Sequence, residues 1–126
     1  MVALNADTGE EIWSFQVKAP NGEPGLASMR GVGYWAGDAK TPARIIVMAG
    51  SHLLALDASS GEPVETFGND GYADVGVPYR GAPTIFGDIV VIGANTLENP
   101  VGIPGNPRAF DARTGEKLWE FQTVPK

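Results

Sequence analysis

No cysteine occurs in the 126-residue sequence, so disulfides, thiolate metal sites and a cysteine nucleophile are all excluded. The same absence leaves the redox compartment open, because periplasmic proteins need not carry cysteine. Histidine is nearly absent as well. His52 is the only one, and although Ser51 stands beside it, sequence neighbours do not make a nucleophile–base–orienter set, so His52 reads as the start of a strand. Positive charge is scarce: nine Lys and Arg against 15 Asp and Glu leave a formal net charge of −6. That balance removes the basic footprint that nucleic acid or an anionic membrane surface requires, and no nucleic-acid partner is expected. No apolar run approaches the ~20 residues that span a bilayer, and the opening "MVALNADTGEEIW" has neither the basic start nor the apolar stretch of a signal peptide. Helical periodicity is the last thing missing. No segment of about ten or more residues keeps it, and an all-β chain is expected.

Glycine and proline, in contrast, are abundant, with 17 Gly and 10 Pro in no collagen-like period, which points to many turns. The length suits one ordinary domain of ~100–200 residues, and a hydrophobic fraction of 43% allows a modest core. The organising feature is a repeat. "ALNADTGEEIW" (3–13) recurs as "AFDARTGEKLW" (109–119), and a degenerate copy, "ALDASSGEPVE" (55–65), keeps Ala55, Asp57 and Gly61 but has Glu65 where the others have Trp. The turn glycines fall at 9, 61 and 115, intervals of 52 and 54 residues, at the long end of the ~40–50-residue periods of propellers.

Each copy has a physical reason. Alternating apolar residues make a strand, the Asx side chain accepts from turn amides, Gly takes a positive φ, and "EEIWSF", "EPVETF" and "EKLWEF" read as return strands of a hairpin. A Trp on the return strand offers a flat surface to the next repeat. Asp57 and Asp111 therefore serve the turn rather than catalysis. Ahead of the second copy lie the strand-like runs "RGVGYW" (30–35) and "RIIVMAG" (44–50), followed by "HLLALDA" (52–58) and "PVETF" (63–67). Ahead of the third lie "RGAPTIF" (80–86) and "DIVVIGA" (88–94), then "PRAFDA" (107–112) and "KLWEFQ" (117–122). Four strands per repeat make a propeller blade, which predicts an all-β β-propeller fragment: residues 1–13 end one blade, 14–67 form a second and 68–126 a third. Propellers close with at least about four blades. A piece of a larger protein is expected, one that associates or folds loosely by itself through its exposed blade faces.

The Trp-bearing repeats, "RGVGYW", "RIIVMAGSHLLALDASSGEPVETFGNDG" and "GNPRAFDARTGEKLWEFQTVP" together resemble the quinoprotein dehydrogenases that use pyrroloquinoline quinone (PQQ). The likeness leans towards the membrane-type glucose branch, which includes quinate and shikimate dehydrogenases. The resemblance implies an eight-bladed propeller in the periplasm that holds PQQ on its axis beside a calcium or magnesium ion. It implies oxidation of an alcohol or sugar hydroxyl, glucose-type favoured, with electrons passed to a quinone or cytochrome and the rest of the propeller as this piece's partner. A quinoprotein alcohol dehydrogenase is the alternative within the enzyme class. A non-enzymatic propeller scaffold of the outer-membrane assembly type is the alternative outside it; Arg30 on the outer rim would favour the scaffold.

Carried over residue by residue, Arg30 falls on the family's R-G arginine, which contacts PQQ; a planar guanidinium suits a ligand with three carboxylates. Arg80 stands in "RGAP" where relatives show a Thr near the cofactor, so it either binds a carboxylate itself or points to solvent. In the loop "GANTLENPVGIPGN" (93–106), Glu98 matches the spacing of the family's metal-ligating Glu, and Asn95, Glu98 and Asn99 form an oxygen-rich set for Ca²⁺. The stretch "LASMRG" lacks the vicinal Cys pair of the methanol type, which leans away from that type. The family's general base, an Asp, falls beyond the matched stretch, so no catalytic residue is expected here. Tyr34 and Trp35 are expected in the core, as aromatic strand residues usually are.

Overall fold

The computed structural model describes residues 1–28, 30–95 and 104–124. Strands β1 (Val2–Leu4) and β2 (Glu11–Ser14) form an antiparallel hairpin. Next come β3 (Gly33–Trp35), β4 (Arg44–Ala49), β5 (His52–Asp57) and β6 (Tyr72–Asp74), paired in chain order as a four-stranded sheet. Strands β7 (Thr84–Phe86), β8 (Ile89–Ile92), β9 (Arg108–Asp111) and β10 (Lys117–Glu120) repeat that arrangement in a second sheet. Every pairing is antiparallel. Among the described residues there is no helix, as the missing 3.6-residue period predicts.

The first sheet is covered on both faces, which explains why "RIIVMA" and "HLLALD" read as nearly unbroken apolar runs. Side chains alternate across a strand. Ile46, Met48, Leu53 and Ala55 go to one side, into a core shared with Val90, Ile92 and Phe110 of the second sheet. Val47, Ala49, Leu54 and Leu56 go to the other, against Trp13 and Val17 of the hairpin segment. Hairpin, first sheet and second sheet thus stack laterally in sequence order. Leu53, Leu54 and Leu56 are completely buried, and each such side chain contributes about 1.5–3 kcal/mol relative to exposure.

The three turns are copies in atomic detail. Asn5 Oδ1 accepts from the backbone N–H of Asp7 and Thr8, Asp57 Oδ1 from Ser59 and Ser60, and Asp111 Oδ1 from Arg113 and Thr114. Gly9, Gly61 and Gly115 close them at φ of 73°, 75° and 74°.

One expected strand is absent. "PVETF" does not return as a strand; Pro63 makes only an isolated bridge to Leu56, and the sheet's fourth strand is Tyr72–Asp74, past residue 67. Pro63 has no N–H to donate to a ladder. The chain instead turns at Val64–Phe67 and again at Phe67–Gly71 before it rejoins β5. Tyr34 is a second correction. Trp35 is buried as expected, but Tyr34 alternates to the opposite face and is exposed.

Candidate functional site

Antiparallel pairing decides which loops share an end. The link from β4 to β5, Gly50–Ser51, lies at the end where β3 begins, because Gly33 pairs with Ile46 and Trp35 with Arg44. Likewise β7 begins where β8 leaves for β9, because Thr84 pairs with Val91. Arg30, Arg80 and Asn95 therefore lie at one end of the two sheets. Strands β3 and β7 are the first strands of their sheets, and they approach closely: a Cβ built on Gly33 would sit 2.9 Å from Ile85 Cδ1, and one on Gly31 3.3 Å from Ala82 Cβ. The glycines of "RGVGYW" are thus required by the contact between the two first strands, Gly31 additionally by its φ of 135°.

Hydrogen bonds join the segments at this end. The Ser28 hydroxyl donates to the Gly81 carbonyl at 3.0 Å and to the Arg80 carbonyl at 3.4 Å. Arg80 N–H donates to Asn95 Oδ1 at 2.9 Å, while Asn95 N–H donates to Pro78 O at 2.9 Å. The structure thus brings Arg80 and Asn95 into direct contact and ties Arg80 to Ser28, two residues before Arg30. Ser28 had no motif to mark it, since a hydroxyl that bridges segments 52 or 53 residues apart leaves no local pattern. Arg30 and Arg80 are exposed, and among the described residues neither guanidinium has a carboxylate partner. Glu98 and Asn99 lie outside the described residues.

Two exposed guanidiniums at one end fit a ligand with several carboxylates. The metal is less complete. Among the described residues no three His, Cys, Asp or Glu side chains are placed to hold a metal ion, and Asn95 Oδ1 already accepts one hydrogen bond, leaving one lone pair for an ion. A divalent ion here therefore depends on oxygen ligands from residues not described. His52 does open β5, with Nδ1 3.4 Å from the Ser51 hydroxyl and its ring edge-on to Tyr72, which leaves it an ordinary strand residue.

The most polar cluster sits at the opposite end, and it is already satisfied. Arg113 binds Asp38 at 2.5 Å and Asp88 at 2.6 Å, and the Trp35 indole N–H donates to Asp88 at 3.0 Å. Hydrogen bonds from Arg113 hold the carboxyls of Asp38, at about 2, and Asp88 below the usual carboxylate range, and both carboxylates raise Arg113 in turn. Arg44, its guanidinium 5.2 Å from the Trp35 ring centroid, donates to the carbonyls of Ala112 and Arg113 at 3.2 and 2.6 Å. Burial lowers its proton affinity. The Arg113–Asp38 ion pair and the Arg44 bonds to the Ala112 and Arg113 carbonyls cross between the two sheets, while Arg113–Asp88 ties two loops of the second, so the cluster joins the sheets and its carboxylates are engaged.

The family model described as "PQQ: Glucose/ethanol/alcohol dehydrogenase, beta-propeller domain" matches residues 1–126. Methanol dehydrogenase (cytochrome c) subunit 1 of Methylobacterium organophilum is 34% identical over 125 residues, 94% of this chain and 20% of that protein. The alcohol dehydrogenase (quinone) dehydrogenase subunit of Acetobacter aceti is 33% identical over 99% of this chain and 17% of its own length. The crystal structure of quinohemoprotein alcohol dehydrogenase from Comamonas testosteroni superimposes with a TM-score of 0.68 at 27% identity, covering 98% of this chain and 18% of that one. The chain thus spans about a fifth or less of these relatives. These relatives are methanol and alcohol dehydrogenases, so the comparisons support the alcohol dehydrogenase alternative better than the glucose branch favoured by the sequence reading, and the missing Cys pair is one local feature beside a likeness along nearly the whole chain.

Proposed function

The chain belongs to the PQQ-type glucose/ethanol/alcohol dehydrogenase β-propeller family, and from that premise we propose that it forms part of a periplasmic PQQ-dependent dehydrogenase acting on an alcohol hydroxyl. The observation that carries this reading is the pair Arg30 and Arg80, exposed at the same end of two adjoining first strands and free of carboxylate partners among the described residues. Arg30 sits where β3 meets β7, not at the far edge of the sheet, which favours the cofactor reading over a scaffold. When bound, PQQ supplies the two-electron acceptor that the side chains lack. Arg30 and Arg80 would bind and orient its carboxylates, and Ser28 and Asn95 would hold the Arg80 backbone in place. Glu98 and Asn95 are the proposed oxygen ligands for a Ca²⁺ or Mg²⁺ ion. The rest of the propeller would complete the site and provide the general base. Electrons would pass to cytochrome c or a quinone, the acceptors in the names of the relatives.

An alcohol is favoured over a sugar by those relatives. The test uses the full-length parent. Arg30→Lys should weaken PQQ binding to the apoprotein, since a charge-assisted bidentate hydrogen bond contributes about 1.5–3 kcal/mol and Lys has no planar fork. Unchanged PQQ affinity would end the Arg30 assignment. Glu98→Gln should raise the Ca²⁺ concentration needed for activity while leaving PQQ affinity near that of the parent, and an unchanged requirement would end the metal assignment.

A further inference from the structure

Tyr79 stands one residue before Arg80, and two glycines make room for its ring. A Cβ on Gly81 would run into the Tyr79 hydroxyl and the ring carbon that bears it, and would lie 3.0 Å from Cε1; one on Gly93 would lie 3.3 Å from Cε2. Gly81 has no positive φ, so its backbone does not require glycine; the ring does. That ring is half-buried against the core the two sheets share, and it lies between the segment that carries Arg80 and the end of β8, two residues before Asn95. Three hydrogen bonds hold the same segment: Tyr79 N–H donates to Gly50 O at 3.5 Å, Asn95 N–H to Pro78 O at 2.9 Å, and the Ser28 hydroxyl to Gly81 O at 3.0 Å. Ala82, the next residue, would meet a Cβ on Gly31 at 3.3 Å, and Gly31 follows Arg30. The ring therefore supports backbone that adjoins both arginines.

We propose that Tyr79 is a positioning residue for the arginine pair: its ring seats the Arg80–Gly81 segment and so sets where the Arg80 guanidinium stands relative to Arg30. The inference rests on the reading of Arg30 and Arg80 as binders of the PQQ carboxylates. Both arginines are exposed, and a long side chain that lacks neighbours to hold its rotamer is placed chiefly by its backbone. A ligand whose carboxylates have a fixed spacing gains from a pair of guanidiniums held at that spacing by a rigid support. An aromatic ring wedged between two glycines is such a support, and the role belongs to the ring, with no proton transfer assigned to the hydroxyl.

Titration of PQQ into the apoprotein of the full-length parent tests it, with thermal melts to show that each variant is folded. Tyr79→Leu should weaken PQQ binding roughly tenfold, the scale of one weakened charge-assisted hydrogen bond, whereas Tyr79→Phe, which keeps the ring, should bind like the parent. Because Tyr79 acts through Arg80, the losses should not add: Tyr79→Leu in an Arg80→Gln background should cost little beyond Arg80→Gln alone. Gly81→Ala leaves Tyr79 in place but pushes the segment off its ring; it should reproduce the loss, and it carries the test if Tyr79→Leu does not fold. A Tyr79→Leu loss that adds in full to that of Arg80→Gln would overturn the proposal, because a general effect on the fold would then be the cause. Unchanged affinity in Tyr79→Leu and Gly81→Ala beside a clear loss in Arg80→Gln would overturn it too, while the cofactor reading would stand. Arg30→Lys and Arg80→Gln variants that both bind PQQ like the parent would overturn the cofactor reading, and the proposal with it.

Discussion

The two complete joints between repeats hold the same turn by different means. At the first, one residue does two things: the Trp13 ring covers Gly61 and its indole N–H binds the Ala58 carbonyl. At the second, the tasks are divided. Phe67, in the turns after Pro63, supplies the ring over Gly115, and Arg44, on β4, supplies the hydrogen bond to Ala112, the residue equivalent to Ala58. The divided joint gains an ion-paired neighbour in Arg113 with Asp38 and Asp88, but it buries a guanidinium whose Nε finds no partner among the described residues. Docking a repeat therefore needs a flat apolar surface and a donor at two points in space. It does not need tryptophan.

The largest effect should come from emptying the divided joint. Phe67 is fully buried, and Phe67→Ala should destabilise the chain by about 3–5 kcal/mol in urea unfolding followed at low protein concentration. A loss below about 1 kcal/mol would mean that Arg44 and the ion pairs hold the joint without the ring. Next, Gly61→Ala should cost more than Gly9→Ala. Both put alanine in the left-handed region, at about 1–2 kcal/mol, but only Gly61 has the Trp13 ring against it, which adds about 1–3 kcal/mol of overpacking. Equal losses at the two glycines would show that the Trp13 ring moves freely.

Trp13→Phe sharpens the comparison at lower cost. It keeps an aromatic ring near Gly61 but removes the donor to Ala58, at about 0.5–1.5 kcal/mol, together with part of the indole's buried volume, at about a further 1 kcal/mol. A loss as large as that of Phe67→Ala would mean that the two tasks cannot be separated. The smallest effect is one of pH. Asp38 titrates at about 2 in the folded chain, below its ordinary 3.8, chiefly because Arg113 donates to it. Its contribution is therefore complete above the unfolded value and is lost as pH falls through the folded one. Asp88 is shifted the same way. The melting temperature should drop between pH 5 and pH 2, and Asp38→Asn should flatten that slope; a mutant with the parent's slope would assign the acid sensitivity elsewhere.

Much of the fold was legible because repeats constrain one another. Three copies of an Asx-x-x-Thr/Ser-Gly turn can be read as turns even where one copy has lost its Trp, since side-chain acceptor and positive-φ glycine must recur together. Arg30 and Arg80 were visible as candidates through family likeness. Their shared end, and the contact of Asn95 with Arg80, were not, because the first depends on antiparallel strand register and the second joins residues 15 apart in the chain. Phe67 was hidden for a related reason. It lies six residues after Gly61, where a hairpin pattern places a strand, and only the turns that follow Pro63 carry it to the next repeat.

By itself the sequence determined the all-β class, the number of four-stranded units, the three turns and the lack of thiol chemistry, since these follow from local period, residue type and repetition. The tertiary structure alone decided which face each strand shows, that Tyr34 is exposed while Trp35 is buried, and that Arg44 and Phe67 together replace a tryptophan. Those outcomes depend on which side chains fill the space between two sheets, and distant residues in contact leave no fixed spacing in the chain.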